Sequence, residues 1–275
     1  MASAYKTLSD EARAEKMSLL HEQMQSGYKE LIVSDGWKKY LNTMAKFYRY
    51  SANNCMLIMS QNPEATQIAA YGKWQQLGRQ VNKGEKGIQI LAPVIKKEDG
   101  DSKVVGFRRA HVFDITQTSG DPLPSPVTLL KGEAPDIMPA IEAVISQAGF
   151  NIQTAPLANS VNGETRWASS MVVIAAGLEP AQRMKTMVHE LAHVMLHQHE
   201  PDRARAEIEA ESVAYVVCQH FGLETSEYSL GYVASWAGDD PSRVKATAEN
   251  VVRTANKIVY GIEQQLATVD EPTEK

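Results

Sequence analysis

Cysteine is nearly absent. Cys55 and Cys218 are the only two in 275 residues, and they form no CxxC pair. That argues against a disulfide-stapled scaffold or a thiolate metal cluster and for two reduced thiols in a cytoplasmic protein. Long apolar runs are absent as well: none approaches the ~20 residues of a membrane span, so no membrane partner is expected. The opening MASAYKTLSDEARAEK lacks the apolar segment of a secretory signal. Internal repeats are also missing. What is present, 43% hydrophobic and 22% charged residues, belongs to a soluble globular chain. Its length suits one large domain or two ordinary ones.

The net charge of −5 is spread unevenly. Residues 36–112 hold 13 Lys and Arg against 5 Asp and Glu, whereas residues 133–275 hold 10 against 20. Such asymmetry suggests a part that binds a polyanion joined to a part with another task.

Hydrophobic spacing predicts an amphipathic helix over 10–32, with Leu19, Leu20, Met24, Leu31 and Ile32 as its apolar positions. Further helices are expected after Asp35, after Ser51 and over 66–78. The pattern then changes to a hairpin, with strands at 88–95 and 102–118 joined by KKEDGD. The stretch SGDPLPSPVTLLKGEAP, 119–135, carries four prolines and reads as a domain edge. Beyond it come a helix near 135–148, strands near 151–155 and at 170–175, and helices after Pro180, over 203–221 and from Pro241 to about 266. The tail VDEPTEK reads as disordered. The fold class is therefore α+β: N-terminal helices with a hairpin or small sheet, then a mainly helical half with a small sheet. Domain boundaries are expected at 1–125 and 126–275.

The segment TMVHELAHVMLHQHEPDRARAEIEAESVAYVV, 186–217, carries the chemistry. On a helix His189 and His193 rise about 6 Å and share a face, so both rings reach one Zn2+ at about 2.1 Å. Glu190, at the edge of that face, is placed to act as the catalytic base without ligating the metal. His197 lies roughly 12 Å from His189 along the axis and reads as a surface or supporting histidine. His199 stands where HExxHxxGxxH proteases place a third ligand, but Leu196 replaces the glycine that would turn the backbone, so the helix is expected to run on. The next helix offers Glu207, Glu209 and Glu211. Glu207 shares the inward register of Ala210 and Ala214 and is the expected third ligand. Glu211, four residues on, is expected to accept from a ligating histidine. Glu209 reads as solvated. Two His, one Glu and an open position describe catalytic rather than structural zinc. Strand SMVVIA is expected to offer an edge to an extended peptide.

The basic half mixes aromatics with cations. Tyr48, Tyr50, Tyr71 and Trp74 are candidates for base stacking. Arg49, Lys73, Arg79, Lys83, Lys86, Arg108 and Arg109 are candidates to follow a phosphate backbone. Asn53 and Asn54 are read as contacts to base edges or as helix caps. Single-stranded DNA is the expected partner.

Three of these segments together carry a resemblance. YSANN, the run from Trp74 through LGRQVNKGEKGIQILAP, and HVFDITQT resemble the N-terminal domain of ArdC-type antirestriction proteins from conjugative plasmids. HELAHVMLH followed by EIEAESVAYVV resembles the zincin-like domain of the ImmA/IrrE metallopeptidases, where the glutamate three before the alanine is the third ligand, here Glu207. The matches cover most of 35–118 and 170–237. The resemblance implies a mobile-element or phage protein that binds single-stranded DNA and protects incoming DNA from restriction. The alternative is a zinc endopeptidase that cleaves a repressor or host defence protein.

Overall fold

The structure, a computed structural model, describes residues 10–31, 36–98, 101–122, 137–158, 161–223 and 240–269. They divide into two compact units. Residues 10–31 and 53–122 make the first; 36–52 and 137–269 make the second.

In the first unit, helix α1 (Asp10–Glu30) and helix α3 (Ala52–Gln61) lie against a sheet of order β1-β4-β3. The strands are β1 (Ile68–Ala70), β3 (Ile88–Glu98) and β4 (Asp101–Asp114). Leu20 and Met24 of α1 meet Leu57 of α3 and Leu91 of β3, whereas Leu19 points to solvent. Ile32 lies outside the described residues. The helix expected over 66–78 is instead β1 followed by a short α4 (Tyr71–Gln76). Ile68–Ala70 pairs with Val112–Asp114, and tertiary pairing there overrides helical spacing. Strands β2 (Arg79–Val81) and β5 (Thr118–Gly120) form a separate antiparallel pair.

β3 is an edge strand, and α3 covers its open backbone. The Asn54 amide donates to the carbonyl of Leu91 at 3.0 Å and accepts from its N–H at 2.9 Å. Seven residues on, Gln61 makes the same pair of bonds to Gln89, both at 2.9 Å. Seven residues are about two helical turns, so both amides leave the same face of α3.

The second unit joins helices to a sheet of order β6-β8-β7: β6 (Asn151–Ala155) parallel to β8 (Met171–Ala175), and β7 (Gly163–Arg166) antiparallel to it. Its helices are α2 (Gly36–Lys46), α5 (Met138–Gln147), α6 (Pro180–Leu196), α7 (Arg203–His220) and α8 (Pro241–Val269). Pro180 opens α6, where a missing N–H costs nothing. The α6 helix lies on β7 and β8 and packs against α7, which α2 and α8 also contact. Trp37 donates to Ser212 at 3.0 Å and Tyr215 to Asn42 at 2.7 Å, fixing α2 on α7. The α7 helix ends at His220, and two residues on Gly222 has a φ of 75°, which suits glycine. There Leu223 N–H bonds Cys218 O and Gly222 N–H bonds Gln219 O, closing the helix end. Most of the proline-rich 119–135 stretch and the tail from 270 fall outside the described residues.

Candidate metal centre

His189 and His193 project from one face of α6, and Glu207 comes to them from the first turns of α7. One ligand atom from each lies within 4.8 Å of the others. The two Nε2 atoms are 3.0 Å apart. Glu207 Oε2 is 3.4 Å from His189 Nε2, and Oε1 is 3.6 Å from His193 Nε2. Donors held at about 2.1 Å around a tetrahedral ion stand roughly 3.4 Å from one another. The spacing and the N2O donor set therefore fit one divalent cation. Glu207 is exposed and the two histidines are partly buried, so one side of the group opens to solvent.

Burial works against a charged His189, but Glu207, Glu211 and the nearby Glu190 outweigh it and lift its pKa to about 9. The contacts to His189 and His193 hold Glu207 far below the usual carboxylate range. Glu211 Oε2 stands 3.2 Å from His189 Nδ1, and Oε1 stands 2.6 Å from Lys185 Nζ. Burial pushes Glu211 upward, but His189 and Lys185 outweigh it and hold its carboxyl low.

Glu190 lies about 60° round α6 from His193, on the side that faces β7. It is buried, and Thr165 donates to its Oε2 at 2.8 Å. Burial raises its pKa against the opposing Thr165 bond and the histidines. Gly163 of the same strand makes this approach possible: a Cβ there would stand 2.9 Å from Glu190 Oε1 and 2.6 Å from Thr186 Cγ2. Neither Gly163 nor Thr165 is singled out by the sequence. A strand of four residues with two charges, GETR, gives little periodic signal.

Two expectations need correction. Glu209 is not solvated but only 1% exposed, because α7 is packed by α2, α6 and α8 rather than on one face. Its Oε1 accepts from Arg205 at 2.8 Å and Asn250 at 3.0 Å, and its Oε2 stands 3.1 Å from His197 Nε2. His197, of the two readings surface or supporting, takes the second: it is buried, and its Nδ1 lies 2.9 Å from His193 Nδ1. Helix α6 also does not run past Leu196. It stops there, and a short turn starts α7 at Arg203, which is how a brief spacer returns Glu207 to the histidines. His199 is exposed in that turn.

The proposed nucleic-acid contacts are divided between the two units. Tyr48 and Arg49 belong to the second unit, where both contact Glu263, and Tyr50 lies there too. Trp74 is buried and donates to Phe113 O at 2.9 Å, so its ring is core rather than a stacking platform. Asn54 is buried in its bonds to Leu91 and offers nothing to a base edge. Asn53 accepts from Tyr28 at 3.2 Å. Arg79 is tied to Thr118, Gly120 and Asp121, bracing the β2–β5 pair. Lys73, Lys86 and Arg108 are exposed, and Arg109 is half-buried with a contact to Gln89. Tyr71 and Lys83 both line an open cavity of about 580 Å3, with Gln80, Val81, Asn82, Glu85, Phe113 and Ser119. The first unit as a whole, 1–31 with 53–123, carries 13 Lys and Arg against 12 Asp and Glu. The charge excess of 36–112 is therefore shared between the units.

Fold and site together define a class: a small α+β unit followed by a metallopeptidase-like unit with a His-Glu-x-x-His helix and a glutamate from the next helix. The comparisons give the family of each part. Residues 10–119 match the N-terminal domain of anti-restriction factor ArdC, and residues 145–218 match the IrrE N-terminal-like domain of the M78 peptidases. The chain joins an ArdC-type N-terminal domain to an IrrE-like M78 domain. An uncharacterised protein of Bacillus anthracis is 27% identical over 85% of this chain and 49% of its own length, so the chain spans about half of that relative. Two crystal structures of the antirestriction ArdC protein from plasmid R388 align at 19% identity and a TM-score of 0.49. The metal-free form covers 78% of this chain and 86% of its own; the Mn(II)-bound form covers 81% and 97%. No described helix is long and apolar enough to cross a membrane.

Proposed function

We propose that the chain is an antirestriction-type protein of a mobile element. Its first unit binds single-stranded DNA, and its second unit is a zinc-dependent metallopeptidase-like domain. The boundaries are those of the two expected domains, except that residues 36–52 serve the second. The convergence of His189, His193 and Glu207 carries the metal half of this reading. The Tyr71–Lys83 cavity supports the DNA half: beside the carboxylate of Glu85 it offers an aromatic wall, two amides, a hydroxyl and a cation, groups that hold an unstacked base and its phosphate.

Zinc held by two histidines and a glutamate supplies Lewis-acid character toward water and a peptide carbonyl. The chain's own residues do the rest. Glu190, buried with its pKa raised and held by Thr165, is suited to take a proton from the attacking water and return it to the leaving amine. An extended peptide would join β7 rather than β8, because β8 lies between β6 and β7 and has no open edge. β7 also carries Thr165 and Gly163, which places the peptide edge beside Glu190.

The test is restriction protection together with oligo-dT binding by the full chain. Binding should weaken steeply between 50 and 200 mM salt, on the order of tenfold or more. Tyr71→Ala with Lys83→Ala should lower both binding and protection. Salt-independent or absent binding would sink the DNA half. The second reading, an endopeptidase directed at a repressor or defence protein, rests on the care with which Glu190 is held. It predicts that Glu190→Gln keeps its metal and loses protection.

A further inference from the structure

We infer that His197, backed by Glu209, is a positioning residue that fixes which nitrogen of His193 faces the metal. The inference rests on the metal reading above.

A neutral imidazole has one N–H and one lone pair. His193 and His197 meet through their Nδ1 atoms at 2.9 Å, so with both rings neutral, as a zinc-ligating His193 requires, one of the two carries the proton and the other accepts it. The far end of the chain decides which. Glu209 is 1% exposed, and its Oε1 already accepts from Arg205 and Asn250. Its Oε2 faces His197 Nε2 at 3.1 Å and, as a carboxylate, can only accept. His197 therefore carries its proton on Nε2, and its Nδ1 is a lone pair. His193 must then carry its proton on Nδ1, which leaves its Nε2 lone pair aimed at His189 Nε2 and Glu207.

His189 receives the same service directly, from Glu211 on its Nδ1. The two histidines are thus oriented by different devices: one by a carboxylate, the other by a carboxylate acting through a second histidine. Three rings in a row, with centroids 4.8 and 4.9 Å apart, are the visible form of this arrangement. The i, i+4 spacing of 189, 193 and 197 supplies it from one helix and its last turn.

The test uses the full chain and zinc ion alone. Zinc affinity is read by chelator competition for wild type, His197→Phe and His197→Gln. The phenyl ring removes the acceptor, and affinity should fall about 10- to 100-fold. The glutamine oxygen can accept from His193 Nδ1–H, and should recover most of that loss. A wild type that binds no zinc would overturn the metal site itself. A wild type that binds one zinc while His197→Phe binds it equally well would overturn the positioning role alone. If His197→Phe fails to fold, the tautomers of the zinc-loaded wild type decide, by nitrogen-15 NMR of the ring nitrogens. A proton on His197 Nε2 supports the inference, and one on His197 Nδ1 contradicts it.

Discussion

Gly163 stands where any side chain would strike Glu190: a Cβ would lie 2.9 Å from its Oε1 and 2.6 Å from Thr186 Cγ2. Both neighbours are buried, so neither has room to move away. Gly163→Ala should therefore destabilise the protein by about 1–3 kcal/mol, the usual cost of overpacking a filled interior. Urea unfolding would measure it. An unchanged midpoint would mean that β7 is not held against α6 as described.

The paired amides of α3 give a second prediction. Asn54→Leu should leave the N–H and carbonyl of Leu91 without their partners, at a cost of about 1–3 kcal/mol. Gln61→Leu should do the same at Gln89. Hydrogen exchange would show it residue by residue: the Leu91 amide loses protection in the first variant and the Gln89 amide in the second. Loss of DNA binding by Asn54→Leu without loss of stability would restore a base-reading role.

Asp114 makes the fold sensitive to acid. Burial pushes its carboxyl up, but bonds from Thr116, Thr66 and Gln67 outweigh this and hold it below its ordinary 3.8. A lowered carboxylate pKa stabilises the folded state fully above the unfolded value, and the contribution is lost as pH falls through the folded one. The stability gap between wild type and Asp114→Asn should be widest above about pH 5 and should narrow below about pH 4. Denaturant titrations from pH 6 to pH 3 would follow it. A gap that stays constant with pH would contradict the assignment.

Trp74 and Tyr71 separate core from surface. Trp74 is 2% exposed, and Trp74→Ala should cost about 3–5 kcal/mol. Tyr71 is 44% exposed on the cavity wall, and Tyr71→Ala should leave the melting temperature nearly unchanged while weakening oligo-dT binding. A base stacked on an aromatic ring contributes about 1–3 kcal/mol, so the loss should be roughly 5- to 100-fold. Equal melting temperatures for both variants would contradict this division.

The legible parts of the molecule were those with long periods. The helices after Asp35, Ser51, Pro180 and Asp202 and the hairpin expected over 88–118 carry strong repeating patterns, though its second strand stops at Asp114, before a 3-10 turn at Ile115–Gln117, and the His189–His193 pair needs only the pitch of a helix. Spacing to Ala210 and Ala214 placed Glu207 inward, whereas its side chain is largely exposed and stands near the histidines from the solvent side. What the sequence hid depends on neighbours from elsewhere in the chain. Residues 66–78 turned partly to strand because Val112–Asp114 lies alongside. Glu209 reads as solvent-facing on its own helix, and only α8, through Asn250, and the end of α6, through His197, show it to be enclosed. The charge excess of 36–112 read as one part of the chain because its residues are adjacent in sequence. Four of those cations, Lys38, Lys39, Lys46 and Arg49, fold into the second unit.

The central claim is that His189, His193 and Glu207 hold one metal ion between them. Anomalous diffraction at the zinc edge, from crystals of the full chain grown with zinc, tests it most directly. The account predicts one strong peak at about 2.0–2.2 Å from His189 Nε2, His193 Nε2 and a Glu207 carboxylate oxygen. A map with no peak there, or a peak ligated by the two histidines with Glu207 turned away, would contradict it.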